Sequence, residues 1–175
     1  MKITVNNREF VRQRANFACE FCGVTETDSG GRLTIDHFQP RAKGGGNHLD
    51  NLLYCCIRCN QYKRDYWAVD SEDIQLWNPR VEPVTQHFLS LDDGTLHPLT
   101  TAGKFTLNRL RLNRPQLIAY RLNKQRRTEQ IHTLARYNDL AHLLEQLHRQ
   151  MADLVEDQQE LLNEQHQLLM LLLNR

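Results

Sequence analysis

Two Cys-x-x-Cys pairs, Cys19/Cys22 and Cys56/Cys59, stand with 33 residues between them in a chain of 175. Thiolates two residues apart can grip one edge of a tetrahedron, and zinc prefers four soft ligands in that arrangement. Either pair alone reads as a redox dithiol or as buried thiols. Together they predict a structural zinc held by Cys19, Cys22, Cys56 and Cys59. Four cysteines leave a zinc ion no open coordination position, so this metal is expected to organise the fold and not to carry chemistry. Cys55 alternates with Cys56 along a strand and is expected to point the other way, as a small core residue.

The zinc reading presumes reduced thiols. The opening residues MKITVNNREFVRQR contain no apolar signal-peptide core, and the longest apolar run, LLMLLL at 168–173, is far too short to span a bilayer. The expected location is the cytoplasm, where disulfides are rare. The formal net charge of +1 conceals a division. Residues 1–127 hold 19 Lys+Arg against 13 Asp+Glu, whereas residues 128–175 hold 3 against 8. The basic part is the expected nucleic-acid side.

Three parts are expected: 1–67 with the Cys, His and Gly signals, a connector over 68–114, and a helical region over 115–175. LTIDH (33–37) and NLLYCC (51–56) read as strands on either side of the loop marked by Gly44, Gly45 and Gly46, with a short helix from Cys59 to about Trp67. In the connector, HFLSLDDGTLHPLT (87–100) reads as a hairpin around Asp93-Gly94. Thr100 or Thr101 caps a helix to about Asn113, and Pro115 opens the next. From Tyr137, apolar residues step by threes and fours through Leu140, Leu144, Leu147, Met151, Leu154, Leu161, Leu168 and Leu172, with Gln158 and Gln165 in the same series. Five heptads argue for a coiled coil. The alternative is a hairpin in which this helix folds back on one running from Pro115 to about Asn138. That shorter helix, about 35 Å against about 55 Å, would leave the far third of the seam bare. A homodimer or higher homo-oligomer through residues 137–173 is therefore expected, and a partner protein at the helical tail is the other cover.

Between the cysteine pairs lie polar residues that a plain core does not ask for. Asp36 is a hard ligand for a divalent ion, His37 a base near neutral pH, and the Asn60 amide oxygen can complete a metal site without adding charge. Lys63, one helical turn after Asn60, is positioned to meet a phosphate. Arg64 extends the expected nucleic-acid surface, as do Arg109, Arg111, Arg114, Arg121 and Lys124 in a run (109–127) with no acidic residue.

The order Cys19-x-x-Cys22, Asp36-His37, Pro40, Gly44-Gly45-Gly46, Asn51-Leu52, Cys56-x-x-Cys59-Asn60 and Lys63 resembles the HNH endonuclease family, in its His-Asn-Asn variant. The connector's LWNPR, HF, DDGT and LRLNRP resemble an extension of some bacterial members. The resemblance implies an α+β fold: a zinc-stabilised ββα-metal (His-Me) finger, here followed by the connector hairpin and a long C-terminal helical or coiled-coil arm. It implies His37 as general base, Asp36 and Asn60 as ligands of a catalytic divalent ion, Asn51 fixing the loop and orienting His37, and a structural zinc on the four cysteines. Magnesium or manganese suits the oxygen ligands. The implied reaction is hydrolysis of DNA phosphodiester bonds to 5′-phosphate and 3′-hydroxyl ends. Restriction or phage defence, homing and DNA processing all fit such an activity. A non-catalytic zinc-stabilised DNA-binding or scaffold module is the alternative.

Overall fold

The computed structural model of the protein describes residues 3–70 and 72–173. It divides into two units, Met1–Lys124 and Gln125–Arg175. The fold is α+β, with two small antiparallel sheets and a long C-terminal helix.

The first unit opens with α1 (Val5–Arg14), which the sequence pattern does not announce. Its apolar pattern is weak, and its anchors are long-range. Val11 is buried in a small cluster with Leu52 and Tyr54. Arg12 pairs with Glu26 at 2.6 Å, and Arg14 donates to the carbonyls of Leu49 and Leu52. The short α2 (Glu26–Ser29) carries that glutamate. Then β1 (Thr34–His37) and β2 (Leu52–Cys55) pair antiparallel, with Thr34 opposite Cys55 and His37 opposite Leu52.

After β2 comes α3 (Ile57–Lys63), with the Cys56 sulfur as its N-cap, accepting from the Cys59 N–H at 3.4 Å. The helix starts two residues earlier than expected and ends at Lys63, short of Trp67. Arg64, at φ 55°, takes the chain out of helical geometry there.

The connector forms α4 (Val84–His87), then β3 (Phe88–Ser90) paired with β4 (Leu96–Pro98). Gly94, at φ 78°, turns this hairpin, and a side chain there would meet the Ile118 carbonyl oxygen at 2.8 Å. Thr100 caps α5 (Thr101–Arg109), its hydroxyl accepting from the Gly103 N–H. The helix stops four residues before the expected Asn113. Arg111 at φ 49° reverses the chain, and the Leu112 N–H bonds back to the Leu107 carbonyl. Pro115 then opens α6 (Pro115–Leu173).

One core crosses the boundary expected near residue 67. Trp77 stacks edge-on against Phe21 at 6.2 Å and Phe88 at 5.4 Å, in a cluster that includes Phe38, Leu53, Leu110, Leu112, Leu117 and the cysteines. Connector and cysteine-bearing segment therefore stabilise each other. Cys55 is a core residue of this cluster, fully buried.

The second unit is helical over residues 125–173. The fold-back hairpin does not form: α6 continues past Asn138, in a stretch with no Gly and no Pro to break it. The seam side chains Tyr137, Leu140, Leu144, Leu147, Met151, Leu154, Leu161 and Leu168 are each 50–65% exposed. The Leu172 side chain lies outside the described residues. Among the described residues, no helix is long and apolar enough to cross a membrane.

Candidate functional site

The two Cys-x-x-Cys pairs meet. One sulfur from each of Cys19, Cys22, Cys56 and Cys59 lies within 4.8 Å of the others, with Cys22 and Cys56 at 3.7 Å. Zinc–sulfur bonds of about 2.3 Å place tetrahedral sulfurs roughly 3.8 Å apart, so the cluster fits a four-thiolate ion. Cys55 stands outside it. Thiols this close share charge unevenly. Cys19 is held well below the ordinary thiol range because Cys22, then Cys55, Cys56 and Cys59 donate to its sulfur, while Cys59 is pushed up by Cys19, then by Cys22 and Cys56. A divalent cation removes that conflict by holding all four as thiolates.

Two arginines expected at the nucleic-acid surface serve this cluster and the fold instead. Arg114 reaches the Cys59 sulfur at 3.9 Å and the carbonyls of Leu110 and Arg111. Burial alone would lower its pKa, but the charge of the cysteine sulfurs outweighs that and raises it. Arg121 donates to Gly94 O at 2.5 Å, to Leu112 O at 2.9 Å and to the Asn113 side chain at 3.0 Å. Guanidinium groups so engaged neutralise and staple, which leaves fewer of their donors for phosphate.

The Asp36-His37 dipeptide ends β1, and the loop after it is built on Asn51. The Asn51 side chain accepts from the Gln39 N–H at 2.7 Å and donates to the carbonyls of Gln39 (3.1 Å) and Gly46 (2.8 Å). The glycine run has a local cause. Gly44 is at φ 85°, and a side chain on Gly45 would overlap the Gln39 carbonyl, with 1.8 Å to its oxygen. Asn51 thus fixes the loop, but the His37 ring bonds elsewhere. His37 Nε2 lies 2.8 Å from Asn47 Oδ1. Sequence reasoning does not find Asn47; the only signal for it is its place just after the glycines. With a carbonyl oxygen on Nε2, that nitrogen carries the proton and Nδ1 is the basic atom.

Lys63 departs furthest from expectation. Its side chain is fully buried, not offered to phosphate, and its ammonium donates to the His37 carbonyl at 2.7 Å and lies 3.1 Å from Asp36 Oδ2. One cation thus pins both residues of the dipeptide to α3. Alternation along β1 puts Thr34 and Asp36 on the face toward this helix, where Asn60 and Lys63 meet them one turn apart. Asn60 Nδ2 reaches Thr34 Oγ1 at 3.4 Å. Among the described residues, Asn60 Oδ1 has no protein donor, and Asp36 Oδ2 is buried without a hydrogen bond. Oxygen donors of this kind are what a hard divalent ion takes, and the Lys63 ammonium already stands against Asp36 Oδ2.

The remaining cationic residues differ in access. Arg109 lies over the Tyr66 ring at 4.1 Å and reaches Lys63 O at 3.4 Å. Arg64, Arg111 and Lys124 are exposed.

Residues 19–72 match the family model described as HNH endonuclease. A segment of 52 residues is 44% identical to the CRISPR-associated endonuclease Cas9 of Corynebacterium diphtheriae, covering 29% of this chain and 5% of that protein. No solved structure matches the chain. The motif from Cys19 onward and these matches agree: residues 19–72 are similar to the HNH endonuclease family, and the chain spans only a small part of the length of the curated relative it matches.

Proposed function

We propose that the module is a metal-dependent endonuclease that hydrolyses DNA phosphodiester bonds to 5′-phosphate and 3′-hydroxyl ends. The observation that carries this reading is the His37 imidazole, oriented by Asn47 with Nδ1 as its basic atom, on the residue after a carboxylate that the Lys63 ammonium holds at 3.1 Å. His37 Nδ1 takes a proton from water, and the water oxygen attacks phosphorus as the bond to the 3′ oxygen breaks. Asp36 and Asn60 would hold magnesium or manganese, which supplies positive charge against the negative charge growing on the phosphoryl and leaving oxygens. The loop on Asn51 keeps His37 in place, and the Cys19, Cys22, Cys56 and Cys59 cluster holds zinc as a structural ion. The test is supercoiled plasmid incubated with zinc-loaded protein, with and without magnesium. Nicked or linear product bearing 5′-phosphate ends supports the reading, and intact plasmid in magnesium or manganese contradicts it.

The Lys63 ammonium against Asp36 favours a second reading, a zinc-stabilised DNA-binding module with a silent site. It predicts duplex binding without cleavage in the same assay.

A second copy of the chain is the proposed cover for the exposed seam of residues 137–173, because heptad spacing suits a like partner. Light scattering should give a multiple of 20.6 kDa, and deletion from residue 137 should reduce it to one chain while sparing zinc. A single-chain mass for the full-length protein at micromolar concentration contradicts this.

A further inference from the structure

Two clefts flank the outer surface of α3 and share Gln61 and Tyr62. The larger, about 950 Å³, is lined by Arg32, Arg58 and Arg114 among others. The smaller, about 370 Å³, is lined by Arg64, Asn108, Arg109 and Arg111 beside the shared pair. The single carboxylate on either wall is Asp28, bonded to the Thr25 hydroxyl. Arg109 and Arg114 are drawn inward, as described above. Arg32, Arg58, Arg64 and Arg111 remain exposed, and none forms an ion pair with a carboxylate among the described residues.

We infer that a nucleic-acid backbone crosses the exposed face of α3, with its phosphates held by Arg32, Arg58, Arg64 and Arg111. This deepens the nuclease reading of the neighbouring pocket and rests on it for the identity of the ligand as DNA. Arg58 and Gln61 stand three residues apart on one side of α3, and Arg64, the residue that ends the helix, lines the smaller cleft with Gln61, its N–H still bonded to Asn60 O at 2.9 Å. These three therefore border the helix that carries Asn60. From Arg58 to Arg64 the rise is about 9 Å, enough for two or three phosphates of one strand at about 3.4 Å of axial rise each. Arg32 extends the track at one end and Arg111, lying over Tyr62 at 5.1 Å, at the other. Guanidinium forks suit phosphate oxygens. Such pairings position a strand and carry no sequence code.

The test uses zinc-loaded full-length protein carrying His37→Ala, so that binding to a short fluorescent duplex is read without cleavage, over a salt series. Each arginine–phosphate pairing removed should flatten the log–log salt slope by about 0.9. The Arg58→Gln/Arg64→Gln pair should lower it by about 1.8 and weaken binding at low salt by about tenfold or more. Arg58→Lys/Arg64→Lys should keep the slope, and Arg126→Gln/Arg127→Gln should leave it unchanged. If the first pair loses zinc, single Arg32→Gln and Arg111→Gln variants replace it, each expected to cost about 0.9. An unchanged slope in zinc-retaining variants, or a drop carried by residues 126 and 127, overturns the track, as does a parent protein that does not bind duplex. A parent that binds through these arginines while wild type fails to cut overturns the nuclease reading alone.

Discussion

The helix α3 faces two metal environments that differ in every respect that decides a metal's role. At its N-terminus, Cys56 and Cys59 join Cys19 and Cys22 in a cluster of four soft sulfurs, three of them on buried residues. Midway along, Asn60 meets Thr34 and Lys63 meets Asp36, which brings oxygen donors to the face toward β1, with no group of three His, Cys, Asp or Glu ligands gathered there among the described residues. Four thiolates would satisfy a zinc ion completely and so fix structure; the proposed oxygen site would leave positions for water and phosphate. In the proposed reading, one short helix registered by a metal at one end sets the position of the pocket a single turn further on.

Removing a sulfur should give the largest effect. Cys56→Ser is expected to lose zinc and unfold residues 1–124, because structural zinc binding contributes on the order of 10 kcal/mol to folding in small zinc modules. Elemental analysis and circular dichroism of the variant check this, and a folded, zinc-free protein breaks the distinction between the two environments. His37→Ala should keep zinc and fold while lowering cleavage by about 10²–10⁴. Lys63→Met, measured by denaturant unfolding, should cost about 3 kcal/mol or more, since Asp36 is left next to an apolar side chain with no countercharge. A neutral result would mean that Asp36 reaches solvent or an ion when Lys63 is absent. Asn47→Ala should be the mildest. Losing an imidazole's orienting partner typically costs about 10–100-fold. A variant with wild-type rate would remove Asn47 from the pocket's design.

The same contrast explains what can be read from the chain alone. The four-cysteine cluster is legible because soft-metal chemistry forces a residue type and a spacing. The β1–β2 hairpin is legible from LTIDH and NLLYCC standing on either side of the glycine loop, and the Gly45 approach to Gln39 accounts for the glycine run. Lys63 is misread because sequence spacing gives a helix face but not what covers it: β1 lies over that face, and a lysine there must find carbonyls and a carboxylate. Arg114 and Arg121 are misread for the same reason, a basic run being blind to which members turn inward. The early ends of α3 and α5 depend on Arg64 and Arg111 at positive φ, a conformation that arginine does not advertise. The continuity of α6 is the opposite case, where the absence of any breaker is visible and a hairpin would need one.

The claim that α3 serves one tightly held structural ion and one exchangeable ion can be tested directly by following metal content and plasmid cleavage in the same sample. Wild-type protein is dialysed against magnesium-free buffer, assayed, and assayed again after magnesium is restored. The account predicts one zinc per chain throughout, with cleavage absent after dialysis and recovered on adding magnesium. Cleavage that persists with zinc alone, or zinc and activity lost together in the same dialysis, would contradict it.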